Sequence, residues 1–205
     1  VIIKFSLEVW CGNDEPHRFV YQYRGEILDW DNDDDDDYSE PHVKIGEIHV
    51  FYCDRVRALH EGESLFEAMD DTGSGAMACY EALIDQETGD LKDEVKELIG
   101  EDALVLDNIL LIERLEIDER FRGKGIGAKV FYEVLKTFGS QCAVIAGKPF
   151  PLQYQGYLDP ENEADRKEPG SEQKRRAAFR KVTTFWKNLG FRKLPSSEFY
   201  VRAYE

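Results

Sequence analysis

Apolar residues along this chain recur at two different spacings, and the changes between them divide it into strands and helices. Residues 1–10 start apolar and then alternate, and residues 18–28 carry Phe19, Tyr21, Tyr23 and Ile27 in period two. Period two sends successive side chains to opposite faces of an extended chain, so both segments read as half-buried strands. Gly12-Asn13-Asp14 and Pro16 supply turn chemistry between them. Val43–Cys53 alternates again through Val43, Ile45, Ile48, Val50 and Tyr52, with room for a bulge near Gly46. Three antiparallel strands are therefore expected at the front of the chain.

The spacing turns helical over residues 63–97. Leu65, Phe66 and Met69 make one apolar stripe, and Ala76, Cys79, Tyr80, Leu83 and Ile84 a second. Leu91, Val95, Leu98 and Ile99 make a third, stopped by Gly100. Thr72-Gly73-Ser74-Gly75 and Thr88-Gly89-Asp90 separate the three pieces. Asn108–Ile117 then contains Ile109-Leu110-Leu111-Ile112, a run that predicts a central strand covered on both faces. Residues 124–138 read as a helix facing inward through Ile126, Val130, Val134 and Phe138, with Gly139 as a left-handed stop. Residues 142–146 form a short buried strand, and the strand–helix–strand order predicts that it runs parallel to its predecessor. A helix is expected over residues 172–189, facing in through Ala178, Val182, Phe185 and Leu189, and closing strands over 191–194 and 198–203. The expected architecture is one mixed α/β domain over residues 1–205, with a central sheet of about six to seven strands and helices on both faces.

Two segments interrupt this pattern. Residues 29–40 contain the run Asp33–Asp37, and like charges this dense stay solvated, so a loop is expected there. Asp29, Asp31, Asp33 and Glu40 match four positions of a calcium loop, but Asp34 stands where that loop needs glycine, which favours the solvated loop. Residues 153–174 carry Gly156, Asp159-Pro160, Pro169-Gly170 and many charges, and read as a surface insertion.

At 205 residues the chain can bury about 70% of its unfolded surface without covalent staples. Its 42 Asp and Glu against 26 Lys and Arg give a formal charge of −16, which repels nucleic acid and anionic lipid and attracts cationic partners. Cys11, Cys53, Cys79 and Cys142 are scattered without a C-x-x-C pair, as expected of reduced thiols in a cytoplasmic protein. His17, His42, His49 and His60 lack metal-ligand spacing and read as surface or strand residues, so no metal is expected. No apolar run reaches the length of a membrane span, and no signal peptide is evident.

Candidate chemistry lies directly behind the central strand, in Arg122-Gly123-Lys124-Gly125-Ile126-Gly127. Glycines between a strand and a helix let backbone approach a ligand closely, and the helix start offers unpaired N–H groups and a positive dipole end to a phosphate. The segment lacks G-x-x-x-x-G-K-[ST], which excludes a P-loop nucleotide hydrolase. Gly123, Gly125 and Ala128 fit a dinucleotide-binding G-x-G-x-x-A, but no carboxylate follows between Glu133 and Asp159 to hold a ribose.

The string from Leu115 to Gly127 resembles the signature of the GNAT N-acetyltransferase superfamily, [RQ]-x-x-G-x-[GA] behind a strand end, with Arg122, Gly125 and Gly127 at its defining positions. Phe185-Trp186-Lys187-Asn188-Leu189-Gly190-Phe191 is similar to a second family element, F-Y-x-K-x-G-F. The resemblance is close over residues 104–146 and 176–192. It implies a GNAT-like fold and transfer of an acyl group, most simply acetyl, from acetyl-CoA or another acyl-CoA to an amine. The pyrophosphate would lie on the backbone of Arg122, Gly123, Lys124, Gly125, Ile126 and Gly127, and the pantetheine would pair with Leu115 and Ile117. A small-molecule amine, a protein lysine or an N-terminus would be the acceptor. The net charge suggests a cationic one, and a homodimer is admitted.

Removing the amine proton needs a base. Glu113 and Glu116 lie on the central strand and, in a regular strand, project to opposite faces; a bulge would change that. Glu113 is preferred as the base, with Glu116 pairing with Arg114 or Arg120. Many family members carry a tyrosine acid where this chain has Trp186, and an asparagine where it has Phe179. Indole cannot supply a proton, leaving Tyr200, Tyr154, Tyr157 or solvent for that step. The alternative function is a catalytically weak acyl-CoA-binding or protein-interaction module.

Overall fold

The computed structural model describes residues 1–8, 16–29, 43–100, 107–154 and 171–204. The run Asp33–Asp37, Cys11, Tyr157 and most of the expected insertion lie outside the described residues. The strands are β1 (Ile2–Glu8), β2 (Val20–Asp29), β3 (Val43–Cys53), β4 (Asn108–Ile117), β5 (Cys142–Gly147), β6 (Arg192–Lys193) and β7 (Tyr200–Arg202). They form one seven-stranded sheet in the order β1-β2-β3-β4-β5-β7-β6. β4 and β5 are parallel and every other pair is antiparallel. The architecture is therefore mixed α/β, with the expected front meander and central parallel pair.

Helices α1 (Arg55–Glu61), α2 (Leu65–Thr72), α3 (Ser74–Leu83) and α4 (Asp93–Ile99) precede β4. They cover one face of the sheet, burying Phe51, Cys53, Ile109 and Leu111 in a common cluster. α5 (Ile126–Phe138) and α6 (Ser171–Asn188) cover the other face against Ile48, Val50, Leu110 and Ile112. This double cover explains the unbroken apolar run in β4. Full burial of each such side chain stabilises by about 1.5–3 kcal/mol.

Several boundaries differ from the sequence expectation, each for a local reason. α1 has no sequence-level prediction, although Asp54 accepts the Arg57 N–H as its cap and Gly62 ends it at φ 73°. Arg18 and Phe19 belong to a 3-10 turn before β2, and Phe19 is fully buried there. Ile84 and Leu91 leave their helices and pair as an antiparallel bridge that closes the turn between α3 and α4. Gly139 is not a left-handed stop, since its φ is −77°. A Cβ there would sit 2.7 Å from Tyr204, so close approach explains that glycine. Ser171–Lys174 form the first turn of α6 rather than the end of an insertion, where Glu172 accepts hydrogen bonds from Arg175 and Arg176. The buried residue of α6 is Trp186, not Ala178.

The bulge expected near Gly46 is present. The β2–β3 register passes from Ile27↔Gly46 to Leu28↔Lys44 and leaves Ile45 extra. Gly46 is needed for a different contact, because a Cβ would lie 2.2 Å from the Glu116 carbonyl oxygen.

Candidate functional site

Parallel pairing between β4 and β5 starts at Asn108↔Cys142 and ends at Ile112↔Gly147. β4 continues for five residues, Glu113 to Ile117, and among the described residues that stretch pairs with β3 alone. β5 instead closes against β7. The two strands thus part at Ile112, and the β5-side edge of β4 opens in front of the glycine turn. Leu115 and Ile117 lie on this open stretch, half-buried against the α5–α6 side.

The glycine turn is built to present backbone. Asp118 donates its N–H to Ile45, a 3-10 turn spans Glu119–Phe121, and the Arg122 Nε donates to the Ile117 carbonyl at 2.7 Å. Gly123 and Gly125 have φ of 77° and 76°, values that favour glycine. The helical ladder begins with Lys129 N–H to Gly125 C=O, so the N–H groups of Ile126, Gly127 and Ala128 stand ahead of it. The Lys124 ammonium lies 5.1 Å from the Phe121 ring centroid, a cation–π contact that holds it beside the turn. Gly127 has a packing role. A Cβ there would approach Phe185 of α6 at 3.3 Å, so its missing side chain lets α5 and α6 meet.

The two candidate glutamates share one face, which corrects the regular-strand expectation of opposite faces. The β3–β4 register passes from His49↔Arg114 to Val50↔Ile112 and leaves Glu113 as the extra residue of a bulge. Leu110 and Ile112 before it, and Leu115 and Ile117 after it, all pack on the α5–α6 side. Glu113, Arg114 and Glu116 consequently project to the opposite side, with Glu47 and His49 of β3. Arg114 holds Glu116 at 2.5 Å and Glu47 at 2.7 Å. The Glu47 contact is one of charge, because the Arg114 Nε–H is not aligned as a hydrogen bond.

Glu113 is placed differently. One carboxylate oxygen lies 3.9 Å from His49 Nδ1. The other faces Gly75 in the first turn of α3, at 3.1 Å from where a Cβ would stand. Glycine at that position lets the helix start approach the carboxylate. His49 is held below the usual imidazole range, chiefly by burial. Glu47 and Glu113 oppose that shift, and Arg24 and Arg114 add to it. Sequence reasoning set His49 aside as a strand residue. Only the register between β3 and β4 puts it beside Glu113.

The same polar face forms a groove of about 510 Å³ lined by Lys4, Arg24, Glu26, Lys44, Glu47 and His49. Lys44 bridges Glu26 and Glu47 at 3.5 and 3.3 Å. The groove wall is therefore of mixed charge, in contrast to the strongly acidic chain.

The remaining candidates are accounted for by packing. Trp186 is buried, with its indole over Gly147 and against Phe191. Phe179 stacks on Phe150 and under Arg175. Tyr200 sits opposite Gly147 in β7, and Tyr154 ends a 3-10 turn. Cys53, Cys79 and Cys142 are buried free thiols, all pushed upward by burial, so they are poor nucleophiles. Among the described residues there is no group of three or more His, Cys, Asp or Glu suited to a metal, and no helix is long and apolar enough to cross a membrane. In comparisons with known proteins, no family model, no curated protein and no solved structure matches the chain.

Proposed function

We propose that this chain is an acyl-CoA-dependent N-acyltransferase, most simply an acetyltransferase acting on an amine. The observation that carries the reading is the parting of β4 from β5 at Ile112 and Gly147, directly in front of the left-handed Gly123–Gly125 turn. An open strand edge suits an extended amide-bearing arm, and free N–H groups at a helix start suit a pyrophosphate. Pantetheine and pyrophosphate are joined in that order in CoA. The thioester would then reach the point where the strands part, with Glu113 beside it. Backbone N–H groups at the open edge would stabilise charge developing on the thioester oxygen. Of the two glutamates, Glu116 is held by Arg114, and only Glu113 remains available for proton removal.

A second reading, an acyl-CoA-binding module without turnover, draws on Trp186. Its indole occupies the wedge wall at Gly147 and supplies no acid. The test is thiol release from acetyl-CoA with spermidine, an aminoglycoside and a lysine-rich peptide. Turnover of any one supports the transferase. CoA binding without turnover across a wider amine panel favours the module.

A further inference from the structure

We propose that His49 is the general base of this site and that Glu113 is the positioning residue that orients it. This rests on the acyl-transfer reading and goes beyond its choice between two glutamates. The β4 bulge spends its extra residue at Glu113, opposite His49 and Val50, and so turns a carboxylate toward the imidazole. The Oε2–Nδ1 distance of 3.9 Å is longer than a hydrogen bond, and orientation of the ring by Glu113 requires the pair to close in the ligand complex. The other carboxylate oxygen lies against the first turn of α3, where Gly75 leaves room for it. The neighbouring carboxylates Glu47 and Glu116 are held by Arg114, so neither competes for the role.

With Nδ1–H directed at Glu113, Nε2 carries the free lone pair. His49 also lines the groove, so its ring is open to an acceptor and to solvent. β3 lies one strand spacing, about 4.8 Å, from β4, whose opposite edge is the one that opens where β4 and β5 part. The groups facing the ring are Arg24 from β2, Glu47 from β3, and Glu113 and Arg114 from β4. Their charges oppose one another in pairs, and burial holds the imidazole below its usual range, which favours the neutral ring that can accept a proton.

The amine nitrogen attacks the thioester carbon and forms the N–C bond. The C–S bond breaks, and its electron pair leaves with sulfur as thiolate. The amine proton passes to His49 Nε2, and the imidazolium faces the Glu113 carboxylate. The imidazolium then loses its proton to solvent in the groove, and the thiolate takes one from solvent. The products are an amide and free CoA, and no tyrosine acid is required.

The test is nitrogen–proton NMR of the imidazole rings, with His49→Gln used to assign its signals. The neutral ring is expected to carry its proton on Nδ1. Glu113→Gln is expected to lower the proton affinity of His49 about three- to tenfold, as loss of one nearby charge predicts. An Nε2–H tautomer, or a titration unmoved in Glu113→Gln, overturns the proposal. With any amine that is turned over, His49→Gln is expected to lower kcat/KM about 10²–10⁴-fold. CoA affinity by calorimetry should stay within about twofold, and exposed His60→Gln should match the parent. Near-parental turnover in His49→Gln refutes the base. Failure of the parent to bind CoA instead refutes the acyl-transfer reading, whatever the tautomer.

Discussion

Gly147 is the position where packing geometry gives the sharpest mutational expectation. It ends β5, pairs with Ile112 and Tyr200, and lies under the indole of Trp186. A Cβ there would fall 2.1 Å from Cη2 and 2.4 Å from Cζ3 of Trp186, and 3.1 Å from the Ile112 carbonyl oxygen. The first two separations cannot be occupied, so either the ring or the strand must move. The ring is 8% exposed and its centroid is 4.6 Å from that of Phe191, which limits its escape. Forcing a rigid side chain off its rotamer costs about 0.5–1.5 kcal/mol, and overpacking a closed core costs about 1–3 kcal/mol. Gly147→Ala should therefore destabilise by about 2–3 kcal/mol, measured as ΔG by urea unfolding. The corresponding fall in Tm is about 4–12 °C for a chain of this size. In a Trp186→Phe background the outer ring atoms are gone, and the cost should shrink by at least about 1 kcal/mol, a coupling measured by the double-mutant cycle. A cost below about 0.5 kcal/mol for Gly147→Ala, or strict additivity with Trp186→Phe, would refute this packing argument.

Arg55 is 5% exposed and held by Asp90 at 2.7 Å, Asp107 at 2.8 Å and the Gly89 carbonyl at 3.0 Å. Replacing both aspartates by Ala leaves a buried guanidinium without a counter-charge and should cost about 3–5 kcal/mol in urea unfolding. Arg55→Met should cost less than half of that, because both carboxylates are exposed and return to water. Burial in the folded chain holds His49 below the ordinary imidazole value of 6.5, so the unfolded chain takes up the proton first as pH falls. Its contribution to stability should be complete above about pH 6.5 and decline as pH drops through the lower folded value. His49→Gln should remove that part of the pH dependence, and an unchanged stability profile between pH 7 and pH 5 would contradict it.

Alternation and glycine placement made most of the sheet legible, because β3 and β4 are long enough for their buried positions to show a pattern on either side of a bulge. β4 has the bounds its sequence predicts, Asn108–Ile117, and the Gly46 bulge is visible as a break in alternation. Short elements were less legible. α1 is seven residues long and rests on a cap at Asp54 and a stop at Gly62, with little apolar periodicity of its own. Gly139 and Gly147 look like turn or strand residues in sequence, yet their meaning lies in Tyr204 and Trp186, distant in the chain. The candidate site shows the same division. The Arg122–Gly127 turn is local and was readable as sequence. The partnership of His49 with Glu113 depends on a register shift between β3 and β4, which no local pattern encodes.

The central claim is that the Gly123–Gly125 turn and the open edge of β4 receive CoA. Calorimetric titration of CoA into the parent, Gly125→Val and Gly62→Val tests it most directly. Gly125 and Gly62 have φ of 76° and 73°, and a Cβ at either meets nothing within 4 Å, so the two substitutions impose comparable backbone strain. Only Gly125 lies at the start of α5, where the pyrophosphate would rest. The account expects saturable binding by the parent, affinity within about twofold of it for Gly62→Val, and a loss of tenfold or more, over about 1.4 kcal/mol, for Gly125→Val. No binding by the parent, or equal affinity in all three proteins, would contradict it.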